Sequence, residues 1–596
     1  MLKRLKFSSA GRGPLYSVTA VAATAAALIA CGGGGSNGVG GGGGTQTPPP
    51  PTSGPAELQP LALKACESLQ GMTVPASAIG LPTSGAKILS AARAAEVAPY
   101  ADAEGEHLLV TPERCLVQGE IASIDSAAPP IKFAINLPLK NWNRRALQSG
   151  GGGLGGSVNT APGNKASGRF DPMPVDAPYP ITLGYVTFGS DGGHVGSDYT
   201  FTRVDEAMRN WAHEHLKKTR DVAIEVVKAA YGEAPGKMFF SGESAGGREA
   251  MIMAQKYPTD YDGVIATSPV ASWNSIHLAD NVLRDKLVTG FLDANAIKLV
   301  ADRTRASCDA LDGLRDGVVA RYLDCSNDVA VLRCPDGNTG NACLSDAQIA
   351  AVNALRQPYS VPVAMANGVT RFPGFRVTGD EDGGPFQWSF YPIGTQAPSA
   401  VLPAGRGNEA GRGGILNFAT FWVRHAIVQD DTFNPSQFDP VPYASRILYL
   451  SNLFDATDPD LRPFAAHGGK MILIHPSADN ATPLSVTAEY YRKVVSTMGK
   501  SAADDVMRLY VGPGGSHNVG GTTQVDALSI LENWALKGQN PPDAPTAYFK
   551  RVSDASLVRS MPACRYPTFP QYSGTGDPNQ ASSFTCTTRP DPMEGN

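Results

Sequence analysis

One ten-residue stretch constrains the fold of this chain more than any other. Residues 239–248 read Phe-Phe-Ser-Gly-Glu-Ser-Ala-Gly-Gly-Arg and contain the pattern Gly-x-Ser-x-Gly. The two aromatic residues are typical of a buried strand, and residues 249–256 are compatible with a helix. Glycines at 242 and 246 permit a sharp strand-to-helix turn, which would lift the Ser244 hydroxyl out of a sheet and towards a base. An ordinary tight turn is the alternative.

Hydrophobic periodicity on both sides of this turn predicts alternating strands and helices. Strands are predicted at 131–138, 181–189, 263–267, 470–475 and 508–511, with helices at about 205–231 and 525–536. Such alternation is typical of a mainly parallel sheet with helices on both faces. Because the pattern breaks after Trp273 and resumes at 470, we expect an α/β-hydrolase fold with a large inserted lid domain.

These breaks divide the chain into segments. We expect a catalytic domain at 59–274 and 445–550, a lid domain at 275–444, and a C-terminal extension at 551–596. Residues 1–30 resemble an export signal, with four basic residues among the first twelve and then an apolar stretch too short for a typical membrane span. Residues 31–58 form a linker rich in glycine and proline.

The end of the export signal, Leu-Ile-Ala-Cys, resembles a bacterial lipobox and predicts lipidation of Cys31. A plain secretory signal with a chance cysteine is the alternative. Either way the mature chain is exported, to the periplasm, the outer membrane or the cell surface, and contacts a membrane only through an N-terminal lipid. Removing residues 1–30 takes away four basic and no acidic residues and moves the net charge from −5 to −9, which does not favour a nucleic-acid partner.

The cysteine content agrees with export. Apart from Cys31, an even number remains, which predicts four disulfides in an oxidising compartment. Connectivity is open, since eight cysteines allow 105 pairings. Proximity in the sequence favours pairing each cysteine with its neighbour: Cys66 with Cys115, Cys308 with Cys325, Cys334 with Cys343, and Cys564 with Cys586.

The order of the elements nominates the remaining catalytic residues. In an α/β-hydrolase sheet the acid and the base follow the nucleophile, each just beyond a strand. Asp479 follows the strand at 470–475, and His517 follows the strand at 508–511. Ser244 would lose its proton to His517, and Asp479 would orient the imidazole. His194 and His475 also lie near strand ends, but we expect them to be structural.

A glycine run at 150–153 follows a predicted strand segment. Glycines let backbone N–H groups approach a ligand oxygen closely, so Gly151 and Gly152, together with Ala245, are the candidate oxyanion hole. A flexible loop is the alternative.

Several spaced motifs resemble the tannase and feruloyl esterase family of α/β hydrolases, which also contains hydrolases of mono-(2-hydroxyethyl) terephthalate. The resemblance covers most of residues 60–550. It rests on the following segments of the chain: Trp142-Asn143 with the glycine run, Asp191-Gly192-Gly193-His194, the turn at Ser244, Pro258-x-x-Tyr261-Asp262-Gly263, Asp479 and His517.

The resemblance implies a secreted serine esterase, with a small-molecule ester of a feruloyl, galloyl or terephthaloyl acid as its substrate. We expect a monomer. Phe386, Trp388 and Phe390 of the lid would contact the substrate, unless these aromatic residues simply form the core of the lid. The alternatives are a general carboxylesterase on the same fold and a surface lipoprotein that binds phenolic compounds without catalysis.

Residues 308–318 of the lid are similar to the calcium loop of the family. The resemblance implies a structural Ca²⁺ as cofactor, with side-chain oxygens from Asp309, Asp312 and Asp316 and backbone carbonyls from Leu314 and Val318. A solvated acidic turn is the alternative.

The chain departs from the family beside the nucleophile and the base. The family has a cysteine directly before the serine and another directly after the histidine, joined by a disulfide. Here these positions are Glu243 and Asn518, so no disulfide can form. We expect the two side chains to hydrogen-bond with each other; the alternative is that Glu243 pairs with Arg248.

Overall fold

A computed structural model describes residues 59–101, 107–158, 173–195, 199–335, 340–376, 378–383, 387–399, 413–517, 521–551 and 553–588. Contacts group these described residues into one compact unit. The predicted export signal with Cys31, the linker, Phe386 and Asn518 lie outside the described residues.

The described residues form nineteen β-strands, most of them short. In chain order they are β1 Thr73–Val74, β2 Ala86–Ala94, β3 Tyr100–Ala101, β4 His107–Leu108, β5 Arg114–Ile121, β6 Ile131–Pro138, β7 Arg145–Ser149, β8 Val186–Ser190, β9 Lys237–Glu243, β10 Gly263–Thr267, β11 Tyr359–Ser360, β12 Arg371–Phe372, β13 Lys470–Pro476, β14 Met507–Gly512, β15 Thr546–Lys550, β16 Leu557–Pro562, β17 Cys564–Arg565, β18 Phe569–Tyr572 and β19 Phe584–Thr587.

Thirteen α-helices accompany them in the same residues. They are α1 Leu63–Glu67, α2 Asp205–Arg209, α3 His215–Tyr231, α4 Ala245–Lys256, α5 Trp273–Thr289, α6 Ala294–Cys308, α7 Asp346–Arg356, α8 Gly414–Phe421, α9 Ala444–Phe454, α10 Arg462–Ala466, α11 Leu484–Met498, α12 Lys500–Val506 and α13 Ala527–Lys537.

The main sheet has eleven strands in the order β1-β2-β5-β6-β8-β7-β9-β10-β13-β14-β17. The central strands from β8 to β14 run parallel to their neighbours. The strands before β8 in this order pair antiparallel, as does β17 with β14 at the other edge. The carboxyl ends of the parallel strands therefore meet at one edge, where α/β proteins place their ligands.

Alternate residues of the central strands face two different hydrophobic layers. Phe240 packs in one cluster with Met251 of α4, whereas its neighbour Phe239 packs in another cluster with Leu531 of α13. This burial on both faces confirms the predicted helix–sheet–helix arrangement of an α/β-hydrolase.

The strands at 131–138 and 263–267 lie where the sequence predicts them. The predicted strand at 181–189 begins only at Val186, because the chain turns before it. Gly184 has φ 88°, and a Cβ on it would lie 2.1 Å from the Asn141 carbonyl oxygen. The predicted helix at 205–231 is present but is interrupted by a π-helical segment, Asn210–Glu214.

The described part of the segment 275–444 contributes no strand to the main sheet; α5 packs there against α7 and α8. The chain returns to the sheet at β13 and again through the short edge strand β17. Disulfides join the cysteine pairs 66–115, 308–325, 334–343 and 564–586, which is the neighbour pairing that the sequence favours.

Candidate active site

Ser244 occupies the turn between β9 and α4. Its backbone has φ 60° and ψ −118°, a conformation that residues other than glycine rarely adopt. Two hydrogen bonds hold the turn: Ser244 N–H donates to the Thr267 carbonyl (2.9 Å), and Val270 N–H donates to the Ser244 carbonyl (3.2 Å). A Cβ on Gly242 would lie 2.3 Å from the Gly246 carbonyl oxygen, so this close approach requires glycine. The turn stores local backbone strain, which commonly marks a functional site.

Asp479 and His517 come together beyond the ends of β13 and β14. His517 Nδ1 lies 2.8 Å from Asp479 Oδ2, and the two residues are 2% and 3% exposed. Asp479 Oδ1 accepts the N–H groups of Ala481 and Thr482, and the Thr482 hydroxyl donates to Asp479 Oδ2. Burial disfavours the charged carboxylate, but His517 and these donors outweigh it and lower the pKa of Asp479 to about 2.

A second carboxylate faces the other nitrogen of the same imidazole. Glu243 Oε1 lies 3.0 Å from His517 Nε2, and no hydrogen bond joins Ser244 Oγ to His517 in the described structure. Burial disfavours the imidazolium, but Asp479 and Glu243 together raise the pKa of His517 to about 9. Both carboxylates therefore favour the protonated, cationic form of His517.

The expected alternative pairing of Glu243 with Arg248 is wrong. Arg248 is 1% exposed and donates to the carbonyls of Ala212 and Phe454, and its nearest carboxylate is that of Glu249, at 3.8 Å. The expected contact between Glu243 and Asn518 falls outside the described residues.

One of the three predicted oxyanion-hole residues needs correction. Gly151 N–H donates to Glu249 Oε2 (2.8 Å), so it is already engaged in this structure. Gly152 and Ala245 line the cavity in front of Ser244. Ala245 is the first residue of α4, where backbone N–H groups lack intrahelical acceptors and the helix dipole is positive. Gly152 and Ala245 therefore stay the candidate oxyanion donors.

A cavity of about 410 Å³ opens at Ser244 and His517. Its wall is largely apolar and aromatic and comes from the main sheet loops, α5 and α8. The lining residues are Gly152, Gly153, Glu243, Ser244, Ala245, Val270, Trp273, Ile276, His277, Phe390, Tyr391, Gly414, Ile415, Asn417, Phe418, Ala481, Thr482 and His517.

The predicted substrate contacts divide into different environments. Phe390 lines the cavity and is 50% exposed. Trp388 does not line it: this side chain is fully buried, donates from Nε1 to Asn480 Oδ1 (3.1 Å), and packs with Phe372 and Ile415. Trp388 is thus part of the lid core, because its large ring fills the space between lid elements.

The sequence reasoning missed the contribution of α5. Trp273, Ile276 and His277 line the cavity, and their i, i+3, i+4 spacing is the signal that could have placed them on one helix face. Burial lowers the pKa of His277 to about 3, so the ring is neutral. Both His277 nitrogens and Trp273 Nε1 are buried without a hydrogen-bond partner among the described residues. These groups add polar contacts to a wall that is largely apolar.

The other candidate histidines have structural partners, as expected. His475 Nε2 lies 2.6 Å from the Thr482 carbonyl oxygen, and His194 Nε2 lies 2.8 Å from the Leu154 carbonyl oxygen. Each imidazole therefore fixes a neighbouring loop.

The proposed metal loop gathers acidic side chains without bringing three of them to one point. No group of three metal-binding side chains converges anywhere in the described residues. Asp309 Oδ1 accepts backbone N–H groups, and Asp316 pairs with Arg559. Asp312 is 1% exposed, and its Oδ2 has no hydrogen-bond partner in the structure as described.

Burial, with Asp316 and Asp309 nearby, raises the pKa of Asp312 to about 6. The backbone of Leu314 and Val318 closes the same loop, through N–H bonds to Asp312 and Asp316. An orphaned carboxylate oxygen among hard oxygen donors fits a calcium ion chemically.

None of the described helices is both long and apolar enough to cross a membrane.

Comparison with known proteins agrees with this geometry. The family described as Tannase and feruloyl esterase matches residues 115–587. An uncharacterized esterase of Agrobacterium fabrum is 32% identical over 540 residues, covering 87% of this chain and 92% of the relative. The mono(2-hydroxyethyl) terephthalate hydrolase of Piscinibacter sakaiensis is 28% identical over 570 residues, covering 84% and 89%.

The crystal structure of feruloyl esterase B from Aspergillus oryzae superposes with a TM-score of 0.69 at 23% identity, covering 88% of this chain and 100% of the other. This likeness supports the fold. The match over residues 115–587 shows more: the chain belongs to the tannase and feruloyl esterase family and is a carboxylic ester hydrolase.

Proposed function

We propose that the chain is an exported serine esterase that hydrolyses esters of aromatic carboxylic acids through an acyl-enzyme. The observation that carries the proposal is the buried Asp479–His517 pair, which stands beside the strained turn of Ser244 at one cavity. The aromatic acyl group is supported by the cavity wall and by the names of relatives that act on terephthalate and feruloyl esters.

In this proposal Ser244 Oγ attacks the ester carbonyl while neutral His517 takes its proton at Nε2. The N–H groups of Ala245 and Gly152 stabilise the oxyanion. His517 then returns the proton to the leaving alcohol, and water hydrolyses the acyl-enzyme by the same route. Asp479 holds the imidazole by Nδ1, which keeps Nε2 directed at the reacting oxygen.

Glu243 sets the resting state of this site. While its carboxylate lies 3.0 Å from Nε2, His517 cannot accept the serine proton. Turnover therefore requires His517 to be neutral and to exchange the carboxylate of Glu243 for the hydroxyl of Ser244. An ester entering the cavity would exclude water around the two groups, which disfavours their charged forms and so favours transfer of the Nε2 proton from His517 to the Glu243 carboxylate.

Polar groups in the cavity wall suit an acyl ring that carries oxygen substituents. The neutral His277 and the Trp273 indole N–H could both hydrogen-bond to such groups, as could the Asn417 amide. Feruloyl, galloyl and terephthaloyl esters all have substituents of this kind. A general carboxylesterase would gain little from these contacts.

Two further expectations about the chain complete the proposal. The N-terminal sequence supports export with lipidation at Cys31, to the periplasm, the outer membrane or the cell surface. We also infer that the protein works as a monomer, because each of its candidate catalytic groups comes from one chain.

We further propose that Asp309, Asp312 and Asp316, with the carbonyls of Leu314 and Val318, hold a structural calcium ion. Bound there, the ion would neutralise the buried Asp312 carboxylate. The same loop contacts the C-terminal segment through Arg559 and Gln571, so the ion would stabilise the lid against residues 557–587.

Replacement of the nucleophile tests the esterase proposal. Ser244→Ala should lower kcat on methyl ferulate and p-nitrophenyl acetate by about 10⁴-fold or more, because triad members act as a unit. The exposed Ser496→Ala on α11 is the control and should keep full activity. Substantial activity in Ser244→Ala would disprove the mechanism.

Two outcomes would favour the alternative functions. A chain that neither hydrolyses esters nor reacts with a fluorophosphonate probe would be a binding protein. A preference for p-nitrophenyl acetate over methyl ferulate and methyl gallate would indicate a general carboxylesterase.

The pH dependence tests the role of Glu243. His517 must be neutral to act as a base, and its pKa is raised to about 9, so kcat/KM should rise from neutral pH to a plateau above about pH 9. Glu243→Gln removes one charge that stabilises the imidazolium, which should move this limb to lower pH by about 1–3 units. Asp479 stays in place, and the exposed Glu233→Gln serves as control. An unchanged limb in Glu243→Gln would contradict the paired resting state.

Calcium dependence tests the lid site. EGTA should lower the melting temperature of the wild-type protein, and excess Ca²⁺ should restore it, since a ligand that binds only the folded state adds stability. Asp312→Asn should lose this response, whereas Asp302→Asn on the exposed face of α6 should keep it. Identical melting curves in EGTA and in excess Ca²⁺ would count against the ion.

A further inference from the structure

A second cavity lies between the segment 275–444 and α11. Its volume is about 270 Å³, and it shares no lining residue with the cavity at Ser244. Four arginines, Arg356, Arg371, Arg376 and Arg492, contribute to its wall, and none of the lining residues is acidic. All four arginine residues are half-buried.

The carboxylates near these arginines do not line the cavity. Arg371 pairs with Glu489 (3.2 Å). Arg356 donates to the Asn327 carbonyl (2.7 Å), and the Glu381 and Asp328 carboxylates also favour its charged form. Arg492 donates to the Tyr566 hydroxyl (2.7 Å). Arg376 makes no hydrogen bond or ion pair with any residue of the described part of the chain.

The physical consequence is a preference for an anion inside the cavity. Guanidinium groups keep their charge at all accessible pH values, and no carboxylate lines the cavity, so an anion that enters meets positive charge on several sides. Burial already lowers the pKa of Arg356, which is the sign of an under-solvated cation.

The amino end of α11 adds to this field. Its first residues, Leu484 and Ser485, line the cavity, and the helix begins without a side-chain cap. The positive end of the helix dipole therefore faces the same space as the guanidinium groups.

The rest of the wall is apolar. Tyr322, Pro373, Phe375 and Leu484 face the cavity beside the arginines. A hydrated inorganic ion would leave these surfaces uncovered, whereas a ring or short hydrocarbon attached to an anionic group would bury them. We propose that this cavity binds a small organic carboxylate, with the carboxylate against the arginines and the apolar body against Tyr322 and Phe375. This inference does not depend on the catalytic role of Ser244.

Calorimetric titration of the full-length protein tests the proposal. Benzoate is the probe, benzyl alcohol is the uncharged match, and sodium phosphate is the anion without an apolar body. The protein is first treated with a fluorophosphonate, which occupies the cavity at Ser244 and keeps benzoate out of it. If the fluorophosphonate does not react, the arginine variants still identify the binding site. Benzoate should bind saturably and more weakly as salt is added, and benzyl alcohol should not bind.

Two substitutions locate the binding. Arg376→Gln, which breaks no hydrogen bond or ion pair in the described structure, and Arg356→Gln should each weaken benzoate binding by about tenfold or more, the usual loss for a hydrogen bond to a charged group. The exposed Arg551→Gln should leave it unchanged. If Arg356→Gln fails to fold, Arg376→Glu, which reverses one charge, takes its place. The proposal is overturned if benzoate fails to saturate by about 10 mM, if the cavity variants bind as the wild type does, or if phosphate binds as tightly as benzoate.

Discussion

The backbone turn at Ser244 is the constraint on which the rest of the site depends. Residue 244 has to leave a buried parallel strand and enter a helix within one residue, at φ 60° and ψ −118°. A turn this sharp survives only because β9 and α4 are fixed on both sides by buried layers, and because Gly242 leaves room for the Gly246 carbonyl. The sheet order then brings the loops after β13 and β14 to the same edge, so Asp479 and His517 lie beside the turn.

The electrostatics of the site follow from two carboxylates around one buried imidazole. Asp479 is satisfied by backbone and hydroxyl donors and stays ionised, whereas Glu243 belongs to the turn itself and meets Nε2. The family resemblance of the sequence implies a disulfide between these two loops, which Glu243 and Asn518 cannot form. Here an ion pair joins them, and an ion pair can be broken by a change of protonation or by a bound ester. In the proposed mechanism the site therefore combines a rigid nucleophile with a base whose availability is controlled by charge.

Much of this arrangement could be predicted from the sequence, because it rests on local pattern and chain order. The strand before Ser244, the helix after it, and the positions of Asp479 and His517 beyond strands all follow from hydrophobic periodicity. The engagement of Gly151 by Glu249, the burial of Trp388 and the approach of Glu243 to His517 could not be predicted in this way. Each is decided by which side chain reaches a given space in three dimensions. The role of α5 lies between these cases. The i, i+3, i+4 spacing of Trp273, Ile276 and His277 is visible in the sequence, but the cavity that they line is not.

The central claim is that Ser244 forms an acyl-enzyme, and trapping that intermediate tests it most directly. Intact-protein mass spectrometry on enzyme quenched in acid during turnover of an aromatic ester, followed by peptide mapping, would locate the acyl group. The account predicts a mass increase of one aromatic acyl group, on the peptide that contains Ser244, and its absence with the free acid alone. Product formation with the acyl group on another residue would contradict it.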